Sequence, residues 1–349
     1  MRDLLAIPPA REAALRALAE RLTPGPASGP TGGRRVVLST HINSDGDGCG
    51  SEAALARLLA ARGLDPVIVN PTPWPDMFRF LLGSDVRDES ARGAAAVRDA
   101  DLLVVLDISD VKRLGTLADA VRAFAGPKLV IDHHLPSDEP PGDVVVSDTT
   151  ACATGELVYD LATVLGAELT RDAAEALYVA LLTDTGGFRF ANTTPRCHAV
   201  AAQLLAAGLD PETIYRRVYA SVPPGKLHLL REALATLDVD HSIGLAWISV
   251  EAGATDRHGV KSEDLDGIVE HPRSIAGTRL ALLFRDLGHG KVKVSFRSTG
   301  DVDVNALARQ FGGGGHAKAS GALIPGTLDA VRARVVAAAR AHLAQPVAA

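Results

Sequence analysis

His41-Ile42-Asn43-Ser44-Asp45-Gly46-Asp47-Gly48-Cys49-Gly50-Ser51 follows the apolar run Val36-Val37-Leu38 and precedes the run Glu52 to Ala61. The first run reads as a buried strand and the second as a helix, so the residues between them are a strand-to-helix turn. Side chains able to ligate a metal stand there as His-x3-Asp-x-Asp, and the interleaved glycines are expected to bend the backbone tightly so that they converge.

The same punctuation recurs downstream. Pro66 to Asn70, Leu102 to Leu106, Lys128 to Ile131 and, more weakly, Val144 to Val146 read as strands, separated by irregular or helical stretches. Apolar strands alternating with helices argue for a parallel sheet with helices on both faces. Ligands of such sheets bind beyond the carboxyl ends of the strands. His41 follows the first strand, Asp107 ends the third, and Asp132-His133-His134 ends the fourth. The helical pattern Arg171 to Thr183 runs into Asp184-Thr185-Gly186-Gly187, which adds a further carboxylate.

Composition narrows what such an edge does. The chain has 349 residues, enough for two domains, and 47% hydrophobic with 22% charged residues reads as globular. Apolar runs are of strand length, so no membrane span is expected, and the N-terminus does not read as a secretory signal. Cys49, Cys152 and Cys197 are widely spaced, which suits a reducing, cytoplasmic setting and buried thiols. The net charge of −6 gives no basic field for long nucleic acids, and the acidic surplus lies in residues 1–234.

The spacing predicts three parts: a catalytic domain over residues 1–207, a helical linker over 208–240, and a smaller mixed-sheet α/β domain over 241–349. In the last, strands are expected at 243–250, 279–284 and 291–297, and helices at 262–269, 304–311 and 328–343. A glycine-rich turn, Gly312 to Gly321, interrupts it. The active site is expected in a cleft between the two domains.

His41, Asp45, Asp47, Asp107, His133 and Asp184 form the candidate constellation. Carboxylates with some imidazole and no thiol suit Mn²⁺ or Mg²⁺ better than tetrahedral zinc. Four aspartates balance two divalent ions in formal charge, and a two-ion site activates water and neutralises charge on phosphate oxygens, so phosphate-ester hydrolysis is the inferred reaction. Asp107, alone on its strand end, is the natural bridging ligand. Each residue also has an ordinary reading, as a cap, a turn residue or a loop histidine. The opening motif lacks the later ligands of an EF-hand calcium loop.

Together, His41-Ile-Asn-Ser-Asp-Gly-Asp-Gly, Val105-Leu-Asp107, Asp132-His133-His134 and Leu182-Thr-Asp184-Thr-Gly resemble, in order, the four motifs of the DHH phosphoesterase superfamily. Gly312-Gly-Gly-Gly-His316-Ala-Lys-Ala-Ser-Gly321 resembles the signature of its DHHA1 domain. The closest likeness is to nanoRNases that also act on 3′-phosphoadenosine 5′-phosphate. The resemblance implies one manganese on His41, Asp45 and Asp107, and another on Asp47, Asp107, His133 and Asp184, with Mg²⁺ or Co²⁺ as substitutes. It implies that His134 faces the scissile phosphate as a hydrogen-bond donor or proton source for the leaving oxygen, that Asp132 orients a ligand imidazole, and that a metal-bridging hydroxide attacks phosphorus. A homodimer is a further family-level expectation.

In the glycine-rich turn, backbone N–H groups of Gly313, Gly314 and Gly315 can approach an anion, with His316 beside them and Arg297 gripping a phosphate bidentately. A hinge or packing turn is the plainer reading; Lys318 and Arg285 are weaker candidates. Aromatics are only 4% of the chain, which disfavours stacking along a strand. That points to short substrates, and the resemblance implies short single-stranded RNA and 3′-phosphoadenosine 5′-phosphate. Cyclic di-AMP or its linear product, inorganic pyrophosphate, and binding without turnover are the rival readings.

Overall fold

The computed structural model describes residues 2–24, 33–260, 265, 267–315 and 317–344. The chain divides into two compact units, Met1–Ala220 and Ser221–Ala349.

The first unit is built on five parallel strands, β1 (Arg35–Ser39), β2 (Asp65–Ile68), β3 (Leu102–Leu106), β4 (Lys128–Asp132) and β5 (Val144–Ser147), in the order β2-β1-β3-β4-β5. Its helices are α1 (Pro9–Ala19), α2 (Gly46–Ala61), α3 (Ala94–Arg98), α4 (Ala118–Ala123), α5 (Thr154–Val164), α6 (Arg171–Asp184), α7 (Pro195–Leu205) and α8 (Pro211–Tyr219). Every residue of β1 and β3 is buried, and their apolar runs, Val36 to Leu38 and Leu102 to Leu106, are what a sheet covered on both sides requires. Alternate side chains serve opposite faces. Leu38, Val104 and Leu106 pack with α1, α2, α5 and α6, whereas Val37, Leu103 and Val105 pack with Ala96, Val97 and Val121 of α3 and α4. From β1 the chain goes to β2 on one side and then to β3 on the other. The β1/β3 ends are therefore the switch point where such sheets bind ligands.

Helix α2 starts at Gly46, six residues earlier than the expected Glu52. Asp45 caps it, accepting from the N–H groups of Asp47 and Gly48 at 3.0 and 3.1 Å. The glycines do not bend the backbone as expected: Gly46, Gly48 and Gly50 lie inside the helix and outside the left-handed region. They make room instead. A Cβ on Gly50 would lie 2.3 Å from the Ala176 carbonyl oxygen, and one on Gly46 2.4 Å from Thr183 Oγ1, so α2 and α6 meet backbone to backbone. Packing of this closeness outweighs the weak helix propensity of glycine.

The second unit is a mixed sheet of β6 (Asp238–Asp240), β7 (Leu245–Val250), β8 (Leu280–Asp286), β9 (Lys291–Ser298), β10 (Gly314–Gly315) and β11 (Ala319–Pro325), ordered β10-β11-β9-β8-β7-β6. Only β7 and β8 run parallel. Helices α9 (Pro224–Leu234), α10 (Ala254–His258) and α11 (Glu270–Arg273) precede β9, and α12 (Val304–Arg309) and α13 (Leu328–Ala344) follow it. Phe284, Val294 and Phe296 pack with α12 and α13, and Ile248, Ala281 and Leu283 with α9 and α10, so this sheet too has two apolar faces. The helix expected at 262–269 falls partly, and His316 wholly, outside the described residues. Among the described residues no helix is long and apolar enough to cross a membrane.

Candidate metal centre

The carboxyl ends of β1, β3 and β4, the N-terminus of α2 and the C-terminus of α6 deliver the six constellation residues to one place. His41 Nε2 lies 3.7 Å from Asp45 Oδ1 and 3.5 Å from Asp107 Oδ2. His133 Nε2 lies 3.7 Å from Asp47 Oδ2, 3.6 Å from Asp107 Oδ1 and 3.6 Å from Asp184 Oδ2. These separations are too long for good hydrogen bonds and suit groups converging on a shared ion. Three groups that could hold a metal ion emerge among the described residues: His41, Asp45 and Asp107; Asp47, His133 and Asp184; and Asp107, His133 and His134. Asp107 turns its two oxygens to different histidines. It does so from a left-handed backbone, φ 62°, a conformation that Asp tolerates better than most residues.

The donors fit a cation by a direct criterion. His41 Nδ1 lies 2.9 Å from the Ile42 carbonyl and His133 Nδ1 3.3 Å from that of Ala151, so each ring is held through Nδ1. Both Nε2 atoms are buried without a hydrogen-bond partner among the described residues. Imidazoles fixed on one nitrogen and bare on the other are arranged as metal ligands are. Charge agrees. Burial, and after it the charges of Asp107, Asp184 and Asp45, push the Asp47 carboxyl well above the usual carboxylate range. Burial also drives Asp184 up to about 6, against the pull of His133 and with Asp107 adding to the rise. For His41 burial works against the charged ring, yet the contacts with Asp107 and Asp45 outweigh it and hold its pKa up at about 10. A divalent ion would take the place of that proton.

Residues 35–181 match the DHH family, N-terminal domain, and residues 245–345 match the DHHA1 domain. The chain is 34% identical over 312 residues to the bifunctional oligoribonuclease and PAP phosphatase NrnA of Thermus thermophilus, with 88% of this chain and 90% of the relative covered. It belongs to the DHH–DHHA1 phosphoesterase family. An exopolyphosphatase-related protein of Bacteroides fragilis superposes with a TM-score of 0.84 at 28% identity, over 95% of both chains. RecJ of Thermus thermophilus, solved in complex with Mn²⁺, shares the fold at a TM-score of 0.54 and 17% identity, over 96% of this chain and 56% of RecJ.

Within the DHH unit, Asp132 Oδ1 meets His134 Nδ1 at 2.8 Å, so Asp132 orients His134, not an imidazole of the six-residue constellation. The residues that support these side chains carry no motif in the sequence. Ser51 Oγ donates to Asp47 Oδ1 at 3.1 Å, and Asn192 Nδ2 reaches Asp184 Oδ2 at 3.1 Å. At the start of α5, the N–H groups of Thr154 and Gly155 reach Asp47 at 2.7 and 2.9 Å, and Thr154 Oγ1 donates to Asp107 Oδ1 at 3.0 Å. Ala-Thr-Gly-Glu at 153–156 signals a helix start, but nothing local says which carboxylates that start will meet.

In the DHHA1 unit the glycine-rich turn is a hairpin, with Gly314 and Gly315 paired to Gly321 and Ser320. A Cβ on Gly313 would lie 2.2 Å from the Gly321 carbonyl oxygen, so close strand approach already requires a glycine there. Arg297 donates to the Phe296 carbonyl at 3.1 Å and lies 3.7 Å from Glu270 Oε1. Lys318 Nζ donates to the carbonyls of Gly300 and Val302.

Beneath His41 lies Glu52, fully buried, whose Oε2 accepts from Asn70 Nδ2 at 2.8 Å; Asn70 Oδ1 in turn accepts the Thr40 N–H at 3.0 Å. Burial pushes Glu52 up to about 8, the Asn70 bond opposing it and Asp88 adding to it. A folded-state pKa above the unfolded value means the folded protein holds the extra proton between about 4.5 and 8, so this group makes stability fall as pH rises through that window. Glu52→Gln keeps the Asn70 bond and removes the titration. The variant is expected to melt close to wild type at pH 4.5, and on the order of 5 °C higher at pH 8, since a unit of this size shifts about 2–4 °C per kcal/mol. Equal melting differences at both pH values, measured by calorimetry, would count against it.

Proposed function

We propose that this DHH–DHHA1 protein is a manganese-dependent phosphodiesterase and phosphatase, cleaving oligoribonucleotides a few nucleotides long to mononucleotides and converting 3′-phosphoadenosine 5′-phosphate to AMP. The observation that carries the reading is Asp107, with Oδ2 toward His41 and Oδ1 toward His133. His41, Asp45 and Asp107 would hold one ion, and Asp47, Asp107, His133 and Asp184 the other. Bound there, such ions supply Lewis-acid polarisation of the phosphate and a water of lowered pKa. The NrnA relative carries both activities in its name, and the RecJ neighbour carries manganese.

His134, fixed by Asp132, would donate a hydrogen bond and then a proton to the leaving oxygen. Gly313, Gly314, Gly315 and His316 would hold a terminal phosphate, with Arg297 released from Glu270. That release is easy, because a half-exposed pair at 3.7 Å is weak.

Hydrolysis of a diribonucleotide, 3′-phosphoadenosine 5′-phosphate, a long single-stranded RNA and cyclic di-AMP, each with Mn²⁺ and with chelator, tests the reading. Fast, metal-dependent loss of the first two with the long strand spared is expected. Preference for cyclic di-AMP would replace the substrate assignment, and no metal-dependent turnover of any would leave a nucleotide-binding sensor.

A further inference from the structure

Five consecutive residues, Ala151 to Gly155, touch or orient four of the six constellation residues. The Ala151 carbonyl holds His133 Nδ1 at 3.3 Å. The Cys152 carbonyl accepts from Asn192 Nδ2 at 2.8 Å, the same nitrogen that reaches Asp184 Oδ2 at 3.1 Å. Thr154 and Gly155 give their N–H groups to the two oxygens of Asp47. No side chain caps this start of α5, so its unpaired N–H groups are free for that carboxylate.

Within this segment the Thr154 hydroxyl does something the backbone cannot. Thr154 is fully buried, and its Oγ1 donates to Asp107 Oδ1 at 3.0 Å. That is the shortest polar contact Asp107 makes through its side chain among the described residues, and it falls on one oxygen only. Oδ1 faces His133 and His134, and Oδ2 faces His41. A carboxylate oxygen has two lone-pair directions, so a donor on one of them fixes where the other points. We infer that Thr154 is a positioning residue that orients Asp107 so that Oδ1 would serve an ion held with Asp47, His133 and Asp184 while Oδ2 would serve one held with His41 and Asp45.

The inference rests on the two-ion reading above, and Mn²⁺ titration calorimetry of the metal-free, full-length protein separates the two. Wild type is expected to show two binding events; one event or none would overturn both readings. Thr154→Val matches the shape of threonine without the hydroxyl. It is expected to weaken one event by about 10–100-fold, the range for lost partners of metal ligands, and to leave the other within about 2-fold. Thr154→Ser restores the donor and is expected to restore the weakened event. A general loss of structure would weaken both events and lower the metal-free melting temperature. That result, two unchanged events in the valine variant, or failure of serine to rescue would each overturn the assignment to Thr154.

Discussion

Asp107→Asn is expected to lower turnover of a diribonucleotide by about 10³-fold or more, the several kcal/mol of charge stabilisation that the bridging role proposed for Asp107 would supply. Asparagine retains the shape and tolerates the left-handed backbone at φ 62°, so the fold is preserved. What changes is that one ligating oxygen becomes an amide nitrogen with no lone pair to offer, and the shared negative charge is gone. Stability should change far less, because two effects oppose each other. The Asp107 charge helps to push up both Asp47 and Asp184. Its removal lets those groups ionise more readily, and a folded-state pKa that falls back toward the unfolded value costs less stability at neutral pH. Against that, the variant loses the Asp107 contact that holds His41 charged at pH 8, so in chelator its melting temperature should stay near that of wild type while it is nearly inactive with Mn²⁺. A kcat within tenfold of wild type would remove Asp107 from the centre of the site.

The strands of the DHH unit were legible because a doubly covered parallel sheet leaves continuous apolar runs such as Leu102 to Leu106. Polar residues that close such runs have few places to go, which is why His41, Asp107 and His133 could be assigned to one edge. The start of α2 was not legible. Three glycines in five residues argue against a helix by propensity, and the reason they are there, the approach of α6, involves residues more than a hundred positions away.

The supports of the site were hidden for the same reason. Thr154 and Asp47 are 107 residues apart, and Thr154 and Asp107 are 47 apart. Neither separation leaves a periodic trace. Glu52 gives no sign in the sequence of its place either: it heads an alanine-rich run and is fully buried. The glycine-rich hairpin shows the limit from the other side. Its glycines are demanded by strand approach at Gly313, so their presence alone does not identify an anion cradle.

The largest effect on stability is expected outside the six-residue constellation, at Arg11. Its guanidinium is buried and reaches Glu156 Oε1 at 2.7 Å, Asp160 Oδ2 at 2.9 Å and Asp148 Oδ2 at 2.7 Å. Arg196 shares Glu156 and Asp160 and donates to the carbonyls of Leu4 and Ala6. Arg11→Met keeps much of the volume and leaves buried carboxylates with one cation between them, a change that costs about 3–5 kcal/mol. For a unit of this size that is a fall in melting temperature on the order of 10 °C. Asp160 is already raised, by burial before anything else, and losing Arg11 raises it further. The folded variant then keeps a proton that the unfolded chain gives up, so its deficit should be larger at pH 8 than at pH 5. The exposed Arg16, paired with Glu12 one turn away, provides the control, and Arg16→Met should change stability by well under 1 kcal/mol. Glu156 Oε2 also accepts the Cys152 N–H at 2.9 Å, at the head of the segment that carries Thr154. Loss of Arg11 should therefore weaken Mn²⁺ binding as well as the fold, and an Arg11 variant as stable as the Arg16 variant would mean that Arg196 alone neutralises the cluster.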